Sequence, residues 1–258
     1  MIHKTAIIAK TVQLGKDVEI GPYTVIEGDV SIGNGCRIGP RAHILGWTSI
    51  GRNTTVHANA IIGDAPQDYS YNGERSFCHI GDNNIIREYT TIHRGAEKDS
   101  VTTIGSNCML MAFSHVGHNA KVSDHCTVGN HTVIAGHVEL ESNTNLSGYI
   151  GIHQFCRVGS WSMVGGYIKP TKDIPPYCLV ADGCLVYGPN NVGLKRADIP
   201  LDSRKAIKHA IRTFYFSGKL KAEALEEIEA AYSDISEVQH FVDFIQTSKR
   251  GVLPSRPR

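Results

Sequence analysis

An aliphatic residue returns at every sixth position along most of this chain. Ile8, Leu14, Ile20, Ile26, Ile32, Ile38, Ile44, Ile50, Val56 and Ile62 share one phase. The phase resumes at Ile80, Ile86 and Ile92, and again from Ile104 through Leu110, Val116, Val122, Val128, Ile134, Leu140, Leu146, Ile152, Val158 and Val164. A helix repeats every 3.6 residues and a half-buried strand every two, so these 24 hexads are an internal repeat. The position two before each is small or β-branched almost throughout, as at Ala6, Val12, Val18, Thr24, Val30, Cys36 and Ala42. Side chains two apart on a strand share a face, so both members of each pair point into one core. Glycine often follows the aliphatic residue, as at Gly15, Gly33, Gly51, Gly117 and Gly129, where a sharp corner is expected to use its conformational freedom.

Three hexads close one triangular turn, so the 24 hexads predict eight coils of a parallel β-helix. The pattern resembles the left-handed hexapeptide-repeat β-helix. The hand comes from that resemblance, because the general crossover rule favours the opposite one. The β-solenoid is expected over 1–189, followed by a C-terminal α-helical domain over 190–258. Excursions near 64–78 and 94–103 interrupt the repeat without changing its phase. They carry Gln67, Asp68 and three aromatic rings in the first, and Glu97, Lys98 and Asp99 in the second. Departures from a rigid solenoid are where partner-contacting groups tend to sit.

The repeat fails at Pro170, and Pro175-Pro176 marks a change of structure. From Leu201 the spacing turns helical: Asp202 or Ser203 can cap a helix with Ile207, Ala210, Ile211, Phe214 and Tyr215 on one face, closed by Gly218. Leu220 to Tyr232 and Ile235 to Ser248 read as two more helices. Lys195, Arg196, Arg204, Lys205, Lys208, Arg212, Lys219 and Lys221 concentrate positive charge here. That is either a solvated face or a docking surface for an acidic partner.

A net charge of +1 gives no global case for nucleic acid. Cys36, Cys78, Cys108, Cys126 and Cys156 each fall two residues before an inward aliphatic, which makes them small core residues rather than disulfide partners. Cys178 and Cys184 lie outside the repeat. The first ten residues enter the repeat without the apolar stretch of a signal peptide. No apolar run approaches the roughly 20 residues of a membrane span, so a reducing cytoplasm is the expected compartment.

Thirteen histidines are many for this length. One coil takes three hexads, so Val116, Ile134 and Ile152 stack, with His115 and His118 flanking the first, His137 after the second and His153 after the third. Coils spaced about 4.8 Å apart would line these imidazoles along one edge. Such a ridge suits a general base near neutral pH with neighbours that bind substrate. It also suits three-histidine zinc binding, which needs nitrogens converging within about 2.1 Å of one ion.

Several stretches resemble the acyl-carrier-protein-dependent UDP-N-acetylglucosamine O-acyltransferases that begin lipid A synthesis. They are Pro66-Gln67-Asp68, Ile92-His93-Arg94-Gly95, His115-Val116-Gly117-His118, Ala135-Gly136-His137-Val138, Ile152-His153-Gln154-Phe155-Cys156, Met163-Val164-Gly165-Gly166, Asp173-Ile174-Pro175-Pro176-Tyr177 and Gly193-Leu194-Lys195-Arg196. The resemblance implies a homotrimer with active sites between neighbouring prisms, an acyl carrier protein as donor, a UDP-GlcNAc-type acceptor, and neither cofactor nor metal. It implies His118 as general base and the Gly136 N–H as oxyanion donor. Gln67, Asp68, His115, Asn119, His137 and His153 then contact substrate, and Met163 and Gly166 measure the acyl chain. Asn191 and Arg196 fall at the nucleotide end, and the basic helices meet the carrier protein.

The chain departs from that pattern at four places. The family's His-Asp pair is His118-Asn119, a lysine position after Gln67-Asp68 is Ser70, a glutamate before Gly193 is Val192, and a second arginine is Ala197. Asn119 can fix a histidine tautomer but lacks a carboxylate's charge. The alternatives are a diverged non-catalytic paralog, an enzyme that acylates a 3-amino sugar, or a zinc enzyme similar to γ-class carbonic anhydrases.

Overall fold

In the computed structural model, which describes residues 1–257, each of the 24 repeating aliphatic residues falls in its own short strand. Up to the last coil, every strand of the repeat pairs in parallel with the strand three further along, giving two eight-stranded sheets and one of ten. The chain is therefore a three-sided, left-handed parallel β-helix of eight coils. Register is direct: Val116 lies beside Ile134, and Ile134 beside Ile152, each pair three hexads apart. Partners are five hexads apart across the first excursion, Ile62 beside Ile92, and four across the second, Ile80 beside Ile104. Both insertions add whole multiples of six, which is why the phase survives them. Strands claim the ends of both, since Asp64, Phe77 and Val101 are paired, so the loops run over 65–76 and 94–100.

The inward residues fill the prism. Ile26, Ile44, Ile62, Ile86, Ile92, Leu110, Ile134, Leu140 and Leu146 are almost wholly buried, each such side chain stabilising the fold by about 1.5–3 kcal/mol. The companions two before them are buried too, and many carry a donor. Thr24 Oγ1 donates to the Gly39 carbonyl at 2.8 Å, Thr132 Oγ1 to that of Ser147 at 2.7 Å, and Cys36 Sγ to that of Gly51 at 2.9 Å. A small hydroxyl or thiol thus gives these part-buried corner carbonyls a donor from inside the prism.

The glycines that follow the aliphatic residues answer a different need from the one expected. A Cβ at Gly33 would sit 2.7 Å from the Gly51 carbonyl carbon, and one at Gly117 2.8 Å from the Gly136 nitrogen. These positions must lack a side chain because the next coil passes there. The left-handed backbone conformation falls two residues later, at Asp17, Tyr23, Asn53, Asn119 and His137 among others. At one corner that position holds Tyr89, Phe113, His131, Tyr149 and Tyr167, whose largely exposed rings stack at centroid spacings of 4.8–4.9 Å. The coil repeat matches a ring-stacking distance, so pairwise stacking worth about 0.5–1.5 kcal/mol offsets part of the left-handed strain.

Past Pro170, Cys178–Ala181 adds to the ten-stranded sheet in parallel and Leu185–Pro189 closes it antiparallel, covering a sheet edge that would otherwise template association. Four helices follow: α1 (Asn191–Arg196), α2 (Leu201–Phe216), α3 (Lys221–Tyr232) and α4 (Ser236–Gln246). Asp202 and Ser203 do not cap α2, which starts one residue earlier behind Pro200 and puts both in its first turn. α1 is too short to show a helical period in sequence; Asn190 caps it by accepting the Gly193 N–H at 3.0 Å. The tail pins the helices back through bridges of Val252 to Asp173 and Ser255 to Val186. Among the described residues no helix is long and apolar enough to cross a membrane.

All seven cysteines are free; six are buried and only Cys184 is partly exposed. Burial pushes the Cys78 thiol up to about 12 and that of Cys156 to about 11. Titration with a chromogenic disulfide should show one fast thiol in the native protein and seven in denaturant. Gly33→Ala should destabilise by about 1–3 kcal/mol, the usual cost of overpacking, read as a lowered midpoint in denaturant unfolding.

Candidate active site

Stacking of Ile92, Val116, Ile134 and Ile152 brings the histidines beside them together. His115 packs edge to face on His93, their centroids 4.9 Å apart, and its Nδ1 lies 2.7 Å from Thr91 Oγ1. His118 packs edge to face on His137 at 5.2 Å, and His137 stacks on Phe155 at 4.6 Å. His93 has no assigned role in the sequence reading, although it follows Ile92 in the same column one coil earlier. His153 stands apart: it is exposed, and its Nδ1 faces the Gln154 carbonyl.

The two excursions fold over this cluster. Arg94 holds the first, donating to the Gly63 carbonyl at 2.8 Å and to the Tyr71 hydroxyl at 2.8 Å while packing on the Trp47 and Tyr71 rings. Arg75 Nε reaches Asp99 at 2.9 Å and ties the first excursion to the second. Asp68 Oδ1 accepts the Ser70 N–H at 2.9 Å and the Ser70 hydroxyl at 2.8 Å. Those two bonds hold its carboxyl below the usual range and leave Oδ2 3.7 Å from His118 Nε2. Ser70, a departure from the family pattern, thus orients Asp68. Gln67 is exposed beside it.

Asn119 fixes His118. Its Oδ1 lies 2.9 Å from both His118 Nδ1 and the Ala96 nitrogen, and its Nδ2 lies 2.8 Å from Glu97 Oε2. The Ala96 N–H can only donate and the ionised carboxylate can only accept, so the amide has one allowed orientation. Nδ1 of His118 therefore carries a proton, and in the neutral ring it is Nε2 that is left bare toward the open side. Glu97 is held below the usual range: burial opposes this, but its own backbone N–H, Asn119 and Ser100 outweigh it. Glu97 Oε1 also stands 3.7 Å from His137 Nε2.

A Cβ at Gly136 would lie 2.6 Å from His118 Nε2. Glycine there opens the space in front of the bare nitrogen, and among the described residues the Gly136 N–H donates to no other group of the chain. The site so assembled offers a base, a free backbone donor and a neighbouring carboxylate around one small space. That set can deprotonate a hydroxyl and receive a developing oxyanion.

The remaining sequence candidates lie elsewhere on the chain. Met163 lies in the ten-stranded sheet, not the sheet beside the histidines, and Gly166 follows two residues after that strand. Gly166 is also constrained by packing, since a Cβ would meet the Gly148 carbonyl at 2.7 Å. Asn191 and Arg196 share the exposed side of α1 with Val192 and Lys195.

Residues 173–253 match the family described as UDP N-acetylglucosamine O-acyltransferase, domain 2, and residues 29–64 and 102–136 match the bacterial transferase hexapeptide repeat. Three similar proteins are named acyl-[acyl-carrier-protein]–UDP-N-acetylglucosamine O-acyltransferase. That of Sulfurihydrogenibium sp. is 46% identical, covering 98% of this chain and 94% of the relative. Those of Paraburkholderia phymatum and Xylella fastidiosa are 42% and 40% identical, each over 98% of this chain and 98% and 97% of the relatives. Among solved structures, the UDP-N-acetylglucosamine acyltransferase of Bacteroides fragilis superposes with a TM-score of 0.96 at 38% identity, over 98% of this chain and 100% of that one. The Acinetobacter baumannii structure gives 0.93 at 34% identity, over 98% and 99%.

Burial, with help from His93 and His118, lowers the His115 imidazole from its ordinary value to about 4. Between pH 6.5 and 4 the unfolded chain then binds more protons than the folded one at this position, so this contribution to stability is complete above pH 6.5 and lost as pH falls through 4. An NMR titration of the ring protons should place the His115 midpoint near 4, and unfolding midpoints should drop across the same window.

Proposed function

Because the chain belongs to the acyl-[acyl-carrier-protein]–UDP-N-acetylglucosamine O-acyltransferase family, we infer that it moves a fatty acyl group from acyl carrier protein to the 3-hydroxyl of UDP-N-acetylglucosamine, the first step of lipid A synthesis. The observation in the site that carries this reading is the bare His118 Nε2 facing the space that Gly136 leaves open.

His118 Nε2 takes the proton from the sugar 3-hydroxyl as that oxygen attacks the thioester carbonyl carbon. The tetrahedral oxyanion is met by the Gly136 N–H. Collapse breaks the carbon–sulfur bond, and the departing thiolate of the carrier's prosthetic arm takes the proton back from Nε2. Asp68, 3.7 Å from Nε2, orients the sugar, with Gln67, His115, His137 and His153 as further substrate contacts. Relatives named O-acyltransferases favour a hydroxyl over an amine acceptor. Among the described residues no three His, Cys, Asp or Glu side chains are grouped to hold a metal ion, and thioester acyl transfer needs none.

We propose a homotrimer in which the ten-stranded face of one copy approaches the histidine face of the next. Met163 and Gly166 would then reach the acyl chain, and Asn191 and Arg196 the nucleotide. Two features support this: the separation of these residues from His118 within one chain, and the exposed stacked rings ending at Tyr167, an apolar strip of the kind association covers. We place the domain division at 189/190, a reading supported by the change from strands to helices there. Lys208 and Arg212 on α2 suit docking of an acidic carrier protein, and a 3-hydroxyacyl donor in the cytoplasm fits this pathway.

Incubation with UDP-N-acetylglucosamine, its 3-amino analogue and carrier proteins loaded with several acyl chains, followed by mass detection, tests the reading. Acylated UDP-N-acetylglucosamine is expected, reduced by about 10²–10⁴ in rate in His118→Ala. Absence of product from a folded, assembled wild type would refute it.

A further inference from the structure

The Asn119 amide is bonded on both sides to groups that complete one chain of hydrogen bonds, from His118 Nδ1 through Oδ1 at 2.9 Å and from Nδ2 to Glu97 Oε2 at 2.8 Å. We propose that Glu97, on the second excursion, is a positioning residue for His118: it supplies through the Asn119 amide the negative charge that the imidazolium needs. This rests on the acyl-transfer reading above.

The physical argument starts from amide resonance. A carboxylate accepting from Nδ2–H draws the amide toward its charge-separated form and puts more negative charge on Oδ1. As Nε2 takes the sugar proton, the imidazolium strengthens its Nδ1–H bond to that oxygen, and bonds in such a chain polarise one another. The same carboxylate stabilises the ion by direct attraction. Two further contacts hold this geometry. The Asn119 N–H donates to Thr102 Oγ1 at 2.8 Å, and the Ser100 hydroxyl receives the Glu97 N–H at 3.0 Å and donates to the Glu97 carbonyl at 2.7 Å. Asn119 is thus no simple loss of a carboxylate, because an aspartate there would set its second oxygen against Glu97 Oε2 at hydrogen-bond range. The carboxylate has moved one residue outward, and an amide fills the position between.

This arrangement dictates an unusual pattern of mutant effects. Glu97→Gln keeps an acceptor for Asn119 Nδ2 and removes only the charge. It should lower kcat about tenfold, a part of what a misdirected histidine costs elsewhere, with KM for both substrates within about twofold. Asn119→Asp alone opposes two carboxylates and should be slower than wild type. Glu97→Gln combined with Asn119→Asp lets the introduced amide donate to the introduced carboxylate, and should restore kcat to near the wild-type value. Were Glu97 merely holding the loop, Glu97→Gln, which keeps the contact to Asn119 Nδ2, would leave both kcat and the Nδ1–H resonance unmoved.

The experiment is steady-state kinetics on the wild type and these three variants, with the His118 Nδ1–H proton resonance as a readout independent of turnover. Slow Glu97→Gln with an upfield-shifted Nδ1–H, both recovered in the double variant, is the expected result. A Glu97→Gln kcat within twofold of wild type, an unmoved resonance, or a double variant no better than Glu97→Gln overturns the proposal. If the wild type makes no product, the acyl-transfer reading fails by itself, and the Nδ1–H shift still decides whether Glu97 acts on His118.

Discussion

Everything in this molecule depends on the coil-to-coil hydrogen-bond ladder. Backbone N–H groups at the strand ends reach carbonyls one coil on, as Gly117 N–H does to Ile134 at 2.7 Å and Gly33 N–H to Ile50 at 2.8 Å. A parallel ladder in direct register turns sequence separation into position: three hexads along the chain become one strand spacing in space. Side chains of no consequence in isolation become neighbours by arithmetic. The ladder also sets the terms for substitution, since a Cβ at many corner glycines would intrude on the next coil.

On that rigid stack the chemistry is assembled from two kinds of part. Imidazoles come from the coils, where their positions are fixed by the repeat. Carboxylates come from the excursions, Asp68 from the first and Glu97 from the second, and each is disciplined by short local bonds to Ser70 and Ser100. Burial keeps His93, His115 and His137 inclined to neutrality, so the cluster can be dense in imidazoles without accumulating positive charge. The unprotonated nitrogen that takes the proton is selected by an amide, not by acidity.

Much of this was legible in the sequence because the hexad phase is a register. The 24 strands, the stacking of Val116, Ile134 and Ile152, and the buried role of Cys36, Cys78, Cys108, Cys126 and Cys156 all follow from counting. What counting cannot reach is contact made by a loop. The link from Glu97 to His118 gave no signal, since the connecting Asn119 is 22 residues away and the excursion that carries Glu97 has no period. The corner glycines escaped correct assignment for a related reason: positive φ is a local property that sequence can anticipate, whereas a clash with the next coil exists only once the coils are stacked. His93 was available to the same counting that found His115. The helix α1 and the strand Leu185–Pro189 escaped because short elements held by tertiary contacts carry little periodicity of their own.

The central claim is that the stacked coils and the Asn119 amide present His118 Nε2, unprotonated, to the sugar. A crystal structure of the protein with UDP-N-acetylglucosamine bound tests it most directly. The account expects the 3-hydroxyl oxygen within hydrogen-bond distance of Nε2, beside Asp68 and in front of Gly136. A sugar bound with its 3-hydroxyl away from Nε2, or a His118 ring turned so that Nδ1 faces the sugar, would contradict it.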